Sequence, residues 1–209
     1  MSIYEQYFAH LGSLENGVAV QRACTDYKRG QVELAGHNFD VFELNGLLRG
    51  KTALSDHHAK FTQLLTQAIC ARNTQPLTLY RMTTIPDLSA PIIPVLESAK
   101  FRYEAFMSTS GKRERLSNFI YEMAVLLEIA CPRYTTMALV ESGNEGDVSE
   151  DEYLLGAATT FRIDEVSSVE KEEWELCGGD FDEELPTPRV KLSVIESPSY
   201  TQGYEFFDF

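Results

Sequence analysis

Ala124-Val-Leu-Leu-Glu-Ile-Ala-Cys131 is the stretch whose reading decides the fold. It is a continuous apolar run, broken only by Glu128 and stopped by Pro132. A run of this length and composition predicts a strand buried on both faces. Strand signals continue on either side of it. Residues 77–82 (Leu-Thr-Leu-Tyr-Arg-Met) alternate and are rich in strand formers, and residues 101–110 run aromatic and extended. Residues 136–140, 152–155 and 160–163 read as short strands, the last two joined by Gly156-Ala157-Ala158. Residues 168–176 and 189–196 read as two final strands; in the second, Val190, Leu192 and Val194 alternate with polar residues.

Towards the N-terminus the period changes. Leu54, Phe61, Leu64, Leu65, Ala68 and Ile69 recur with helical spacing, which predicts a helix within residues 54–72, with Ser55 or Asp56 as its cap. Residues 73–76 break it. Residues 1–50, punctuated by six glycines, read as short helices and loops. Turns or loops are expected at 85–87, 111–115, 141–149 and 178–188, with a short helix or loop at 91–99. Helices first and strands after predict an α+β domain built on a mainly antiparallel sheet. Residues 1–50 form an N-terminal region and 51–209 a core, the two making one compact domain.

Composition narrows the function. The 209 residues carry a net charge of −14. Residues 141–184 hold sixteen acidic residues against Arg162 and Lys171, so this stretch supplies the whole imbalance. Binding to a nucleic-acid backbone needs basic patches and is not expected. No apolar run approaches the ~20 residues of a membrane span, and no Sec-type signal peptide is visible among the first thirty residues. Export by a route that reads no such peptide stays open. Cys24, Cys70, Cys131 and Cys177 have no zinc or redox spacing and read as reduced structural cysteines of a cytosolic environment, with Cys70 and Cys131 buried in apolar runs. His10, His37, His57 and His58 form no metal motif, and neither a Rossmann nor a P-loop fingerprint is present.

Three short segments carry chemistry. Arg81 ends a strand-like Leu-Tyr-Arg and offers a planar fork of donors suited to phosphate. Ser108-Thr109-Ser110 places hydroxyls on alternating sides of a strand. Glu150-Asp151-Glu152 opens a third strand, and in an extended chain Glu150 and Glu152 share a side. Paired carboxylates serve acid–base or oxocarbenium chemistry. Taken singly, each segment reads equally as an ion pair, an edge strand or a solvated acidic surface.

Together, Leu-Tyr-Arg81, Phe-Met-Ser108-Thr-Ser and Glu150-x-Glu152-x-Leu-Leu resemble the arginine–serine–glutamate class of mono-ADP-ribosyltransferases, over roughly residues 55–196. The resemblance implies a core of two packed, mainly antiparallel β-sheets with N-terminal helices and an NAD cleft. It implies that Arg81 holds the NAD phosphates and that Tyr80 and Met82 flank it in the cofactor site. Ser108 would hydrogen-bond Glu152, and Thr109 and Ser110 would shape the nicotinamide pocket. Glu152 would hold the nicotinamide ribose, and Glu150 would orient or deprotonate the acceptor. Residues 111–118 would close over the cofactor, with Phe119 stacking on nicotinamide, and residues 141–149 would face the protein substrate. Where many relatives have glycine after the strand arginine, this chain has Met82. The implied activity is transfer of ADP-ribose from NAD to a side chain, arginine by the position of Glu150, of a host protein, without a metal, by a secreted bacterial or phage effector. NAD glycohydrolysis and transfer to another side chain are the alternatives; a glycoside hydrolase would leave Arg81 and the Ser-Thr-Ser segment idle.

Overall fold

The computed structural model describes residues 1–84, 100–119, 124–140, 152–177 and 187–198. Helix α1 (Ile3–Ser13) opens on a capping box: Ser2 Oγ accepts from the Glu5 amide at 3.1 Å, and the Ser2 amide donates to Glu5 Oε2 at 2.7 Å. Two donors that a helix start leaves unpaired are thereby satisfied. The chain then turns so tightly that a Cβ on Gly17, the first residue of α2 (Gly17–Arg29), would stand 2.0 Å from the Leu11 carbonyl oxygen. Gly17→Ala is expected to lower the unfolding free energy by roughly 3 kcal/mol, because backbone rather than a side chain must move. Urea denaturation measures this, and an unchanged midpoint would show the turn to be looser than described.

Helix α2 stops at Gly30, whose φ of 76° is left-handed. A hairpin follows, β1 (Gln31–Leu34) with β2 (His37–Asp40), turning through Ala35 and Gly36 at φ 53° and 81°. Positive φ at both central residues matches the right-handed twist of a two-residue hairpin. The sequence reading of short helices and loops lacks this hairpin, because Ala35 carries no turn signal. Asp40 caps α3 (Val41–Arg49) by accepting from the Glu43 amide at 2.6 Å. Helix α4 (Asp56–Ala68) is the one expected within 54–72.

The remaining strands are β3 (Ala71–Arg72), β4 (Leu77–Thr84), β5 (Lys100–Tyr103), β6 (Met107–Ser110), β7 (Ala124–Cys131), β8 (Thr136–Leu139), β9 (Glu152–Leu155), β10 (Thr159–Ser168) and β11 (Pro188–Glu196). They pair in the order β3-β8-β9-β6-β4-β7-β11-β10-β5. Two blocks make up this order, β3-β8-β9-β6 and β4-β7-β11-β10-β5; among the described residues their strands pair at a single position, Tyr80 opposite Ser110. Pairing is antiparallel except between β7 and β11. Strand β7 lies between β4 and β11, with Leu126, Leu127 and Ile129 fully buried, as its apolar run predicts.

Three expectations are corrected. The run 101–110 is two strands: β5 pairs with β10 at the outer edge of one block, and β6 belongs to the other. Residues 168–176 are not a strand; β10 ends at Ser168 and a short helix, α5 (Lys171–Leu176), follows. Glu173, Trp174 and Cys177 lie on one side of that turn, and Trp174 and Cys177 bury with Val169, Met82 and Leu126 in a second apolar cluster. Residues 111–115 are not simply a loop, since a 3-10 turn spans Arg113–Phe119. The expectations for 85–87, 91–99, 141–149 and most of 178–188 fall outside the described residues.

The main core draws Tyr7, Val20, Tyr27 and Leu44 from the first fifty residues, Leu79, Leu127 and Phe161 from the sheet, and Phe106 from the link into β6. The N-terminal helices therefore share their apolar interior with the strands. Cys24, Cys131 and Cys177 are buried free thiols and Cys70 is half-buried. Burial pushes the Cys24 thiol up to about 11 and those of Cys70 and Cys131 to about 12, so they stay protonated and unreactive at neutral pH. Among the described residues no helix is long and apolar enough to cross a membrane, and no cluster of metal-ligating side chains occurs.

Candidate active site

The junction between the two blocks brings together the segments singled out in the sequence. Strand β9 opens with Glu152 directly opposite Ser110 on β6. Ser108, two residues earlier on β6, shares that side, and its Oγ donates a short hydrogen bond to Glu152 Oε1. Across the junction, Arg81 on β4 donates from Nη1 to the Ser108 carbonyl at 2.8 Å. One member of each segment, Arg81, Ser108 and Glu152, thus forms a continuous polar chain.

The flanking residues divide between the two sides of β4. Alternate side chains of a strand point to opposite faces. Leu79 enters the main core, while Tyr80 and Met82 turn to the second cluster. Met82 is 5% exposed and packs with Leu126 and Ala124. Thr109 is buried and donates to the Tyr153 carbonyl at 2.9 Å, which ties β6 to β9. Ser110 Oγ donates to the Lys112 carbonyl at 2.9 Å and accepts from its amide at 3.0 Å, fixing the chain as it leaves β6. Phe119 ends the 3-10 turn. Glu150 and Asp151 lie outside the described residues.

Several participants carried no motif. Lys28, in the last turn of α2, places Nζ 3.2 Å from Glu152 Oε2, so both carboxylate oxygens are engaged. Its neighbour Tyr27 is buried, donates to the Phe106 carbonyl at 3.1 Å and accepts from Asn45 Nδ2 at 2.8 Å. Burial pushes the Tyr27 phenol up to about 12, so it remains a neutral donor. Arg113 holds the 3-10 turn down: its guanidinium lies 4.6 Å from the centre of the Tyr80 ring and pairs with Glu128 at 3.1 Å and Glu173 at 2.5 Å. Glu173 pairs in turn with Arg189 at 2.7 Å. Lys28 and Glu152 are 124 positions apart in sequence, and nothing local marks Lys28 as a partner. Arg113 sits in Gly-Lys-Arg-Glu-Arg, a composition that reads as solvated.

Chemically, a carboxylate is an acceptor for a ribose hydroxyl and a counter-charge for a cationic sugar carbon, and a guanidinium fork fits a phosphate. The donor set therefore suits a nucleotide sugar. A model of the ADP-ribosyltransferase exoenzyme family matches residues 38–176. The chain belongs to that family and is an NAD-dependent ADP-ribosyltransferase.

Solved structures share its fold. Plx2a, an ADP-ribosyltransferase toxin from Paenibacillus larvae, is similar over 92% of each chain with a TM-score of 0.64 and 16% identity. C3stau2 from S. aureus, solved with NAD, is similar over 93% of this chain and 95% of its own, with a TM-score of 0.60 and 12% identity. The enzymatic component C2-I of the C2 toxin from Clostridium botulinum gives a TM-score of 0.62 at 17% identity, over 93% of this chain and 46% of that one. The α+β architecture expected from the sequence is the fold of these proteins. No curated protein sequence matches the chain.

Proposed function

We propose that this chain is a protein mono-ADP-ribosyltransferase of the bacterial toxin or effector type, moving ADP-ribose from NAD to an arginine of a host protein and releasing nicotinamide. The observation that carries the reading is the Arg81–Ser108–Glu152 chain at the block junction. In this reading the bond from ribose C1′ to the nicotinamide nitrogen breaks, and its electron pair leaves with neutral nicotinamide. No general acid is needed. Positive charge develops on the sugar, as in glycoside hydrolysis. Glu152, fixed by Ser108, meets that charge more strongly in the transition state than in the ground state. Arg81 takes the diphosphate, while Thr109 and Ser110 shape the nicotinamide pocket. Residues 111–118, with Phe119, cover the bound dinucleotide. The acceptor nitrogen then bonds to C1′ and loses its proton to Glu150. Relatives named as toxins support a secreted protein that works in the cytoplasm of another cell.

The test uses labelled NAD with and without a host-cell lysate. Label on a lysate protein is expected, and no label together with no nicotinamide release would overturn the reading. Glu150→Ala should lower transfer to protein by about 100-fold while NAD hydrolysis stays within about threefold, the usual range for losing one acid–base group in one step only. Equal loss of both activities would remove Glu150 from the acceptor side.

A further inference from the structure

We propose that Lys28 is a positioning residue of this site, acting through Glu152. The proposal rests on the reading of Glu152 given above. Ser108 holds one oxygen of the carboxylate and the Lys28 ammonium holds the other, at 3.2 Å. A glutamate at the start of a strand has three side-chain torsions to fix, and one hydrogen bond leaves the carboxylate free to swing about it. A second contact from a different element fixes its plane. Each carboxylate oxygen has two lone-pair directions. Lys28 and a ribose hydroxyl are therefore compatible on the same carboxylate, and the lysine need not leave when the nucleotide enters.

The element that carries Lys28 is itself anchored. Tyr27, 6% exposed, ties the last turn of α2 to Asn45 of α3 and to the Phe106 carbonyl, two residues before Ser108. Gly30 ends the helix in the left-handed conformation immediately afterwards. The same helix turn thus grips the entry to β6 through Tyr27 and the start of β9 through Lys28. A cation in that turn is also favoured by the negative end of the helix dipole. With side chains 19% and 16% exposed, the Lys28–Glu152 pair is largely shielded, so its geometry persists better than that of a surface ion pair. Lys28 lies upstream of residues 38–176, the span that matches the family.

Steady-state nicotinamide release by the full chain tests this, whether ADP-ribose passes to protein or to water. Lys28→Met should lower kcat about tenfold with KM for NAD within twofold, and Lys28→Arg should restore most of the rate. In a Glu152→Gln background, Lys28→Met should have no further effect. Lys28→Gln, with a shorter neutral polar chain, repeats the measurement should the methionine variant fail to fold. An unchanged or raised kcat overturns the proposal, as does a rise in KM alone, which would make Lys28 a nucleotide ligand. An equal Lys28→Met loss in the Glu152→Gln background overturns it too. Inactivity of the wild-type chain would instead sink the NAD reading beneath it.

Discussion

Glu152→Gln is expected to slow nicotinamide release by at least about 1,000-fold, with folding and NAD affinity close to wild type. Glutamine keeps the length and planarity of the side chain, and its Oε1 still accepts from Ser108, while its amide nitrogen cannot accept from Lys28. What disappears is a full negative charge beside a carbon that becomes positive. Loss of one preorganised dipole from such a site costs roughly 100- to 1,000-fold; loss of a charge belongs at or beyond the top of that range, about 4 kcal/mol of transition-state stabilisation. Single-turnover release of labelled nicotinamide measures it. Retention of more than a tenth of wild-type activity would assign the charge stabilisation elsewhere.

Arg81→Met is expected to raise KM for NAD about 100-fold and to lower kcat about tenfold. The two effects have separate origins. The first is loss of the guanidinium fork, whose charge-assisted bonds to phosphate are the strongest a neutral methionine removes. The second follows from the 2.8 Å bond between Arg81 and the Ser108 carbonyl. Without it that carbonyl loses its Arg81 donor at a cost of about 1–3 kcal/mol, and the strand carrying Ser108 loses one of its ties to β4. Arg81→Lys should fall between the two, since an ammonium keeps the charge but not the fork. A change in KM below threefold would separate Arg81 from the diphosphate.

The sequence made the centre of this fold legible because burial on both faces leaves a composition no other element needs. Residues 124–131 and the alternation at 77–82 and 189–196 became β7, β4 and β11. What it concealed has common physical causes. The hairpin after α2 turns through Ala35, a residue with no preference for positive φ. Residues 171–176 include Trp174, a residue type common in strands, yet tertiary burial on one side of a short helical turn decided their state. The run 101–110 looked continuous because local composition does not reveal that a chain is crossing from one block to the other. At the site, Arg81, Ser108 and Glu152 were legible because the three segments have distinctive wording. Lys28, Tyr27 and Arg113 act through partners distant in sequence, and no local pattern announces such contacts.

Strand pairing between the blocks only at Tyr80 and Ser110, among the described residues, has a consequence for how such a chain changes over time. Strand register propagates through continuous ladders, where a one-residue slip reverses every side chain. A lone stitch transmits little of that constraint. An insertion or a re-registered edge in one block is absorbed there, leaving the other block's pattern of inward and outward residues intact. Drift can then proceed on each side separately while Arg81, Ser108 and Glu152 still meet at the seam, in keeping with a fold shared with relatives at 12–17% identity.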